Sequence, residues 1–217
     1  MTEVYLIRHG STKFNNDTDT SQDRIRSWRD VPLSEDGRKE AETTAKALRN
    51  KGIKHIYSSD LERAKETADC LGRYCKLPVK TTKELRPWDL GEFTGKSTKE
   101  SMPKIHKYVD EPDKEVPKGE SFNSFRDRAF GGIEKILRDH PKDTVAIVTH
   151  HRVERLIKAW MDKGQPKNYD INFNIFKEKG EKPGGHEKLN LEYKKKGGAL
   201  RNTIKDSMKE VKNGRSS

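Results

Sequence analysis

The chain has 217 residues, of which 30% are hydrophobic and 37% charged, two cysteines, and a formal net charge of +11 at pH 7. That length holds one substantial core and is short for two ordinary domains, and no run of eighteen apolar residues occurs that could span a bilayer. Roughly half of the basic excess lies after Lys163, and the closing stretch YKKKGGALRNTIKDSMKEVKNGRSS has little apolar content, so the charge is that of a solubilising tail rather than a base-reading surface.

These features predict a domain over residues 1–193 and a basic tail over 194–217, with no membrane or nucleic-acid partner. The amino-terminal stretch lacks the long apolar segment of a signal peptide, so a soluble, cytoplasmic protein is expected. Cys70 and Cys75 form neither a CxxC pair nor half of a zinc site, and both read as reduced thiols in or near the core.

In chain order, Val4 to Ile7 predicts a buried strand, SEDGRKEAETTAKALRNKG a helix, Ile53 to Tyr57 a second strand, and SSDLERAKETADCLGRYCK a second helix. This βαβα rhythm predicts a largely parallel sheet. Ser58, Ser59 or Asp60 is expected to cap the second helix, whose Leu61, Ala64, Ala68 and Leu71 share one face, with Arg63 in its first turn. From Pro78 to Pro117 the pattern breaks into an excursion over the domain with one weak helix around Lys99 to Tyr108. A helix follows in GESFNSFRDRAFGGIEKILRDH, interrupted by Gly131 and Gly132, with Glu120 and Ser121 at its start. TVAIVTHH predicts a strand and RVERLIKAWM a closing helix. In the tail, Leu200, Ile204, Met208 and Val211 recur at helical spacing, which fits an amphipathic segment or a frayed end.

Two strands thus end in chemistry-bearing residues: Arg8, His9 and Gly10 after the first, and Thr149, His150 and His151 after VAIV. Ligands of open α/β sheets bind beyond the carboxyl ends of parallel strands. A lone histidine at a strand end usually caps a carbonyl, but Arg8, His9, Arg63 and His150 in one crevice would repel one another unless a dianion neutralised them. A phosphoryl group fits, since guanidinium forks bind its oxygens and a neutral imidazole can attack phosphorus. Arginines do not belong among metal ligands, and consecutive histidines diverge, so neither metal nor cofactor is expected.

The blocks RHGSTKFN (8–15), WRDVPLSEDGRKEA (28–41), SSDLERAKETA (58–68), PKGESF (117–122) and VAIVTH (145–150) occur in an order that resembles the histidine phosphatase superfamily in its phosphoglycerate mutase-like branch. The likeness runs from Thr2 to about Trp160. It implies a three-layer α/β/α sandwich with a mostly parallel sheet and a metal-independent phosphatase acting on a phosphorylated small molecule. His9 is then the nucleophile, Arg8, Arg63 and His150 hold the phosphoryl oxygens, and the Gly10 carbonyl fixes the His9 tautomer. Thr12 and Asn15 match positions near the substrate phosphate.

Where relatives carry a glutamate as general acid, LRPWDLGEFTG has Pro87, which cannot transfer a proton. Asp89 is the expected substitute, because Trp88 beside it could raise its pKa, although an aspartate before such a glycine stretch is also an ordinary turn residue. Glu84 and Glu92 are the other candidates, and Arg86 is either a further anion-binding group or a solvated loop charge. The missing glutamate favours hydrolysis over a mutase-type phosphotransfer. A third alternative is a catalytically weak anion-binding module whose basic tail docks on an acidic partner.

Overall fold

The computed structural model describes residues 2–15, 23–164, 168–177, 182–194 and 199–202. Strands β1 (Thr2–Arg8), β2 (His55–Ser59), β3 (Val79–Thr82), β4 (Thr144–Thr149), β5 (His186–Lys194) and β6 (Ala199–Asn202) form one sheet in the order β3-β2-β4-β1-β5-β6. The first four strands in that order run parallel, while β5 pairs antiparallel with β1 and with β6. The sheet is therefore mostly parallel with an antiparallel flank.

Successive side chains of a strand point to opposite faces, and the two central strands are apolar on both. Tyr5, Ile7, Ala146 and Val148 pack against helices α1 (Glu35–Leu48) and α2 (Glu62–Cys75), which meet the sheet through the small Ala41, Ala45, Ala64 and Ala68. Val4, Leu6, Val145 and Ile147 face the larger core of α3 (Thr98–Asp110), α4 (Phe122–Asp139), α5 (His151–Asp162) and the short α6 (Phe173–Lys177). Helices on both faces complete the expected three-layer sandwich. Both cysteines are free thiols, Cys70 buried and Cys75 partly so.

Several local expectations change. Ser58 and Ser59 belong to β2, and Leu61 takes the cap position of α2 without a side-chain hydrogen bond, because the strand continues two residues further than its apolar run. Helix α4 passes unbroken through Gly131 and Gly132, and a Cβ on Gly132 would lie 2.4 Å from Glu84 Cβ, so that glycine admits the 83–85 turn against the helix. The 78–117 excursion does not simply lie over the domain: it supplies edge strand β3, and Leu85, Trp88, Leu90 and Phe93 are core residues. Leu200 lies in β6; Ile204, Met208 and Val211 lie outside the described residues. Among the described residues no helix is long and apolar enough to cross a membrane.

Candidate active site

The strand order makes β1 and β4 neighbours, with Arg8 opposite Thr149 in parallel register, and the His9 amide donates to the Thr149 carbonyl at 3.0 Å. His9 and His150 therefore leave adjacent strand ends together. Their ring centroids are 5.0 Å apart at 63°, and each is only 2% exposed. Helix α5 starts at His151, so its unpaired amides and positive dipole end also face this region.

The approach of the His9 loop to α1 depends on two glycines. A Cβ on Gly10 would lie 2.3 Å from the Gly37 carbonyl oxygen, and one on Gly37 would lie 2.0 Å from that of Ser11. Backbone packs on backbone here, with no side chain able to yield. The Gly10 carbonyl is 2.7 Å from His9 Nδ1. A carbonyl only accepts, so Nδ1 carries the proton and Nε2 presents its lone pair. That lone pair accepts from Arg63 Nε at 3.2 Å.

Arg63, 1% exposed, sits in the first turn of α2 and is pinned by its other nitrogens: Nη1 donates to the Arg29 carbonyl at 3.0 Å and Nη2 to that of Ser27 at 2.9 Å. Ser27 holds the left-handed backbone (φ 48°), uncommon without glycine, and its hydroxyl accepts from the Leu90 amide at 2.8 Å. Thr12 and Asn15 form a second ligature. The Thr12 amide donates to Asn15 Oδ1 at 3.1 Å, and Arg26 Nη1 donates to Thr12 Oγ1 at 3.1 Å and also to Asn15 Oδ1.

These groups border a cavity of about 390 Å³, in the range of small-molecule sites. Arg8, Arg24, Arg26, Arg63, Arg152, Arg155 and Lys177 reach its wall, against a single carboxylate among the described residues, Asp23. Burial, then Arg63, Arg26 and Arg8, drives the His9 pKa well below its usual value, and burial, Arg63 and His9 do the same to His150. His151 falls to about 2, through burial and then Arg8. Desolvation lowers Arg63 to about 9, Arg26 to about 10 and Arg152 to about 9. Neither ring nitrogen of His150 has a hydrogen-bond partner among the described residues. A buried pair of this kind is costly unless a ligand uses it.

Of the residues singled out from sequence, Arg8, His9, Asn15, Arg63 and His150 reach the cavity wall, and Thr12 backs Asn15 and Arg26. Arg86 and Asp89 do not reach it. Arg86 forms a two-pronged pair with Asp60, at 2.7 and 2.6 Å, and covers the Trp28 ring, which is a stronger seat than a solvated anion site. Asp89 behaves as the turn residue it could equally have been: its Oδ1 accepts from the Gly91 amide at 3.0 Å and from Ser27 Oγ at 3.2 Å. Trp88 is fully buried, and its Nε1 donates to the Glu120 carbonyl. Glu84 and Glu92 are exposed and also off the cavity wall.

The sequence reading missed Arg26, Arg152 and Arg155. The last two lie three residues apart on the first two turns of the helix that follows His150, and that spacing was a usable signal. Arg26 gave none beyond its place among other arginines. The cluster with metal-ligand chemistry among the described residues, His55, His140 and Asp143, lies at the opposite, amino ends of β2 and β4. Its two imidazoles stack at 3.7 Å and 22°, so their lone pairs lie in nearly parallel planes and do not converge on one tetrahedral ion.

An α/β sandwich with two facing histidines and several arginines lining one cavity at the carboxyl ends of its strands is the framework and charge pattern of an anion-receiving class of protein. The profile of the histidine phosphatase superfamily (branch 1) matches residues 4–176, and the chain belongs to that superfamily. Members named as phosphatases and as mutases are both among its relatives. It is 31% identical over 189 residues to the phosphoglycerate mutase-like protein 4 of Arabidopsis thaliana, covering 81% of this chain and 79% of that one. It is 33% identical over 165 residues to the metal-independent phosphoserine phosphatase of the same plant, covering 72% and 67%. Among solved structures, a mycobacterial hydrolase superposes with a TM-score of 0.74 at 22% identity, over 93% of this chain and 89% of that one, a likeness of fold.

Proposed function

We propose that the chain is a phosphatase that hydrolyses phosphate monoesters through a phosphohistidine on His9 Nε2, without a metal. The observation that carries this reading is the His9 tautomer: Nδ1–H is tied to the Gly10 carbonyl at 2.7 Å, and Nε2 faces a cavity walled by Arg8, Arg26, Arg63 and His150. The depressed pKa keeps the ring neutral and nucleophilic at neutral pH. When a phosphoryl group enters, Arg63 Nε exchanges His9 for a phosphoryl oxygen. Arg8 and Arg26 take other oxygens, and His150 donates one ring N–H, so the cations offset charge building on the equatorial oxygens.

The Nε2 lone pair attacks phosphorus as the P–O ester bond breaks, and the departing oxygen takes a proton. Water then attacks the phosphohistidine, the P–N bond breaks, and orthophosphate leaves with neutral His9 restored. Asp23 is the one acidic residue on the described cavity wall, and we assign it the proton transfers: it enters as the carboxylic acid and gives its proton to the departing oxygen, and the carboxylate so formed takes one from the attacking water. Asp89 keeps a positioning role through Ser27, whose carbonyl holds Arg63.

Two measurements test this. Incubation with a phosphorylated hydroxy acid is expected to release inorganic phosphate; a shift of the phosphate to the neighbouring hydroxyl would instead mark a mutase. Asp23→Asn should slow alkyl phosphates by about 10²-fold while sparing activated aryl phosphates. Asp89→Asn, whose amide oxygen can still accept from Ser27 and Gly91, should change the alkyl-to-aryl rate ratio by less than about threefold. A collapse of that ratio in Asp89→Asn would return the proton to Asp89.

A further inference from the structure

Three of four consecutive residues, Ser27 to Asp30, hold Arg63. The Ser27 and Arg29 carbonyls take its two Nη donors, at 2.9 and 3.0 Å. Asp30 Oδ1 accepts from the Glu62 amide at 2.7 Å, and so secures the first turn of α2, whose own cap residue offers no side-chain bond. The fourth residue, Trp28, is central with Ser27 in the turn closed by the Arg29 amide on the Arg26 carbonyl at 2.8 Å. The Ser27 carbonyl lies in the peptide plane of the Trp28 amide, so whatever fixes Trp28 also directs that carbonyl. The left-handed backbone of Ser27 is costly for a residue with a Cβ and persists only where its surroundings over-determine it.

Trp28 is half-buried and belongs to neither core cluster of the described residues, yet its ring is fastened at three points. Its Nε1 donates to the Pro87 carbonyl at 2.8 Å, and the guanidinium groups of Arg86 and Arg128 lie 4.7 and 5.4 Å from the ring centre. Both arginines are anchored in turn. Arg86 is paired with Asp60, and Arg128 donates to Glu120 at 2.6 Å and to the Lys83, Glu84, Arg86 and Pro87 carbonyls at 2.9 to 3.2 Å. The indole is therefore a strut from the turn that aims Arg63 to the 83–87 loop and, through Arg128, to α4.

We infer that Trp28 is a positioning residue for Arg63: braced against the 83–87 loop, it holds the 26–29 turn so that the Ser27 and Arg29 carbonyls keep the guanidinium fork in place with Nε toward His9 Nε2. Trp28 itself does not reach the described cavity wall, so it acts only through Arg63. Without the strut the Ser27 turn relaxes toward ordinary backbone and its carbonyl swings from Nη2. The inference rests on the phosphatase reading above, in which Arg63 Nε passes from His9 to a phosphoryl oxygen. A misplacement of about 1 Å at such a group costs up to about 10²-fold in rate.

The test is a double-substitution cycle on the full chain, read with 4-nitrophenyl phosphate. Trp28→Leu should lower kcat/KM by about tenfold or more in the wild-type background, and by less than about twofold in Arg63→Gln, which has no fork left to aim. Trp28→Phe keeps a ring beside both guanidinium groups but loses the bond to Pro87, and should regain part of the loss. A merely structural role would lower both backgrounds by one factor. Should Trp28→Leu fail to fold, the same cycle with Trp28→Phe decides, at about threefold in the wild-type background against no change in Arg63→Gln. An unchanged kcat/KM in the folded variant, or equal factors in the two backgrounds, overturns the inference while leaving a His9-dependent phosphatase. Absence of any His9-dependent hydrolysis overturns the phosphatase reading and this inference with it.

Discussion

His9→Ala is expected to lower phosphate-ester turnover by on the order of 10⁴-fold or more, because under the proposed mechanism it removes the atom that bonds to phosphorus and with it the two-step path. The loss should appear in kcat for every leaving group, since no ester can bypass the nucleophile. It should be accompanied by loss of an acid-labile, base-stable phosphoprotein in quenched reactions with labelled substrate. Folding is expected to survive. The substitution leaves the Gly10 carbonyl and Arg63 Nε short of one partner each, but it also removes a ring from a crowded group of cations. Equal thermal midpoints with collapsed turnover is the expected pair of results. Turnover equal to wild type would end the phosphohistidine mechanism.

The second large effect is on stability as a function of pH. His9, His150 and His151 are all held neutral in the folded protein, first by burial and then by arginines. In the unfolded chain each titrates near the ordinary value of about 6.5. As pH falls through that value the unfolded state binds protons that the native state refuses, so stability is full above it and drops below it. The drop amounts to about 1.4 kcal/mol per pH unit for each such histidine. His106, His140 and His186 are lowered in the same direction, burial being the largest cause in each.

Inorganic phosphate separates the cavity from these other histidines. A dianion seated among Arg8, Arg26 and Arg63 favours the protonated form of the rings near it, which flattens the pH dependence of the cavity histidines and not that of His106, His140 and His186. It also raises stability outright, by about 2.7 kcal/mol at a hundred times its dissociation constant. Urea midpoints from pH 8 to 5.5, with and without phosphate, measure both terms. That window ends above the range in which Asp60, Asp143 and Asp170, whose pKa values are held down by Arg86, His55 and Lys163 respectively, begin to lose their charge. A flat profile without phosphate would mean that the cavity histidines are not buried as neutral rings.

How far the site was legible follows from what each residue needs. His9, Arg63 and His150 could be placed from sequence because each lies just past a strand end or on the next helical turn, where chain direction alone puts it at the carboxyl edge of a parallel sheet. That they converge required β1 and β4 to be neighbours, a long-range pairing that no local window contains. Strands β3 and β5 were missed for a related reason. VKTT is a short polar edge and HEKLNLEYK a charged one, and both gain their conformation from ladder bonds to β2 and β1 rather than from apolar alternation.

Two loop residues carried side chains with two possible directions. Arg86 could face an anion or Asp60, and Asp89 could face the substrate or its own turn; the positions of Asp60 and Ser27, more than twenty residues away, decided both. Arg26 and Arg152 were overlooked because a charge becomes significant only when folding removes its water and its counter-ions. The sequence by itself determined the α/β rhythm and the family, and it put His9, Arg63 and His150 at the carboxyl edge of the sheet, since these depend on strand ends and local order. Only the tertiary structure decided which carboxylate borders the cavity among the described residues and which arginines line it, because burial and side-chain direction arise from contacts between segments remote in the chain.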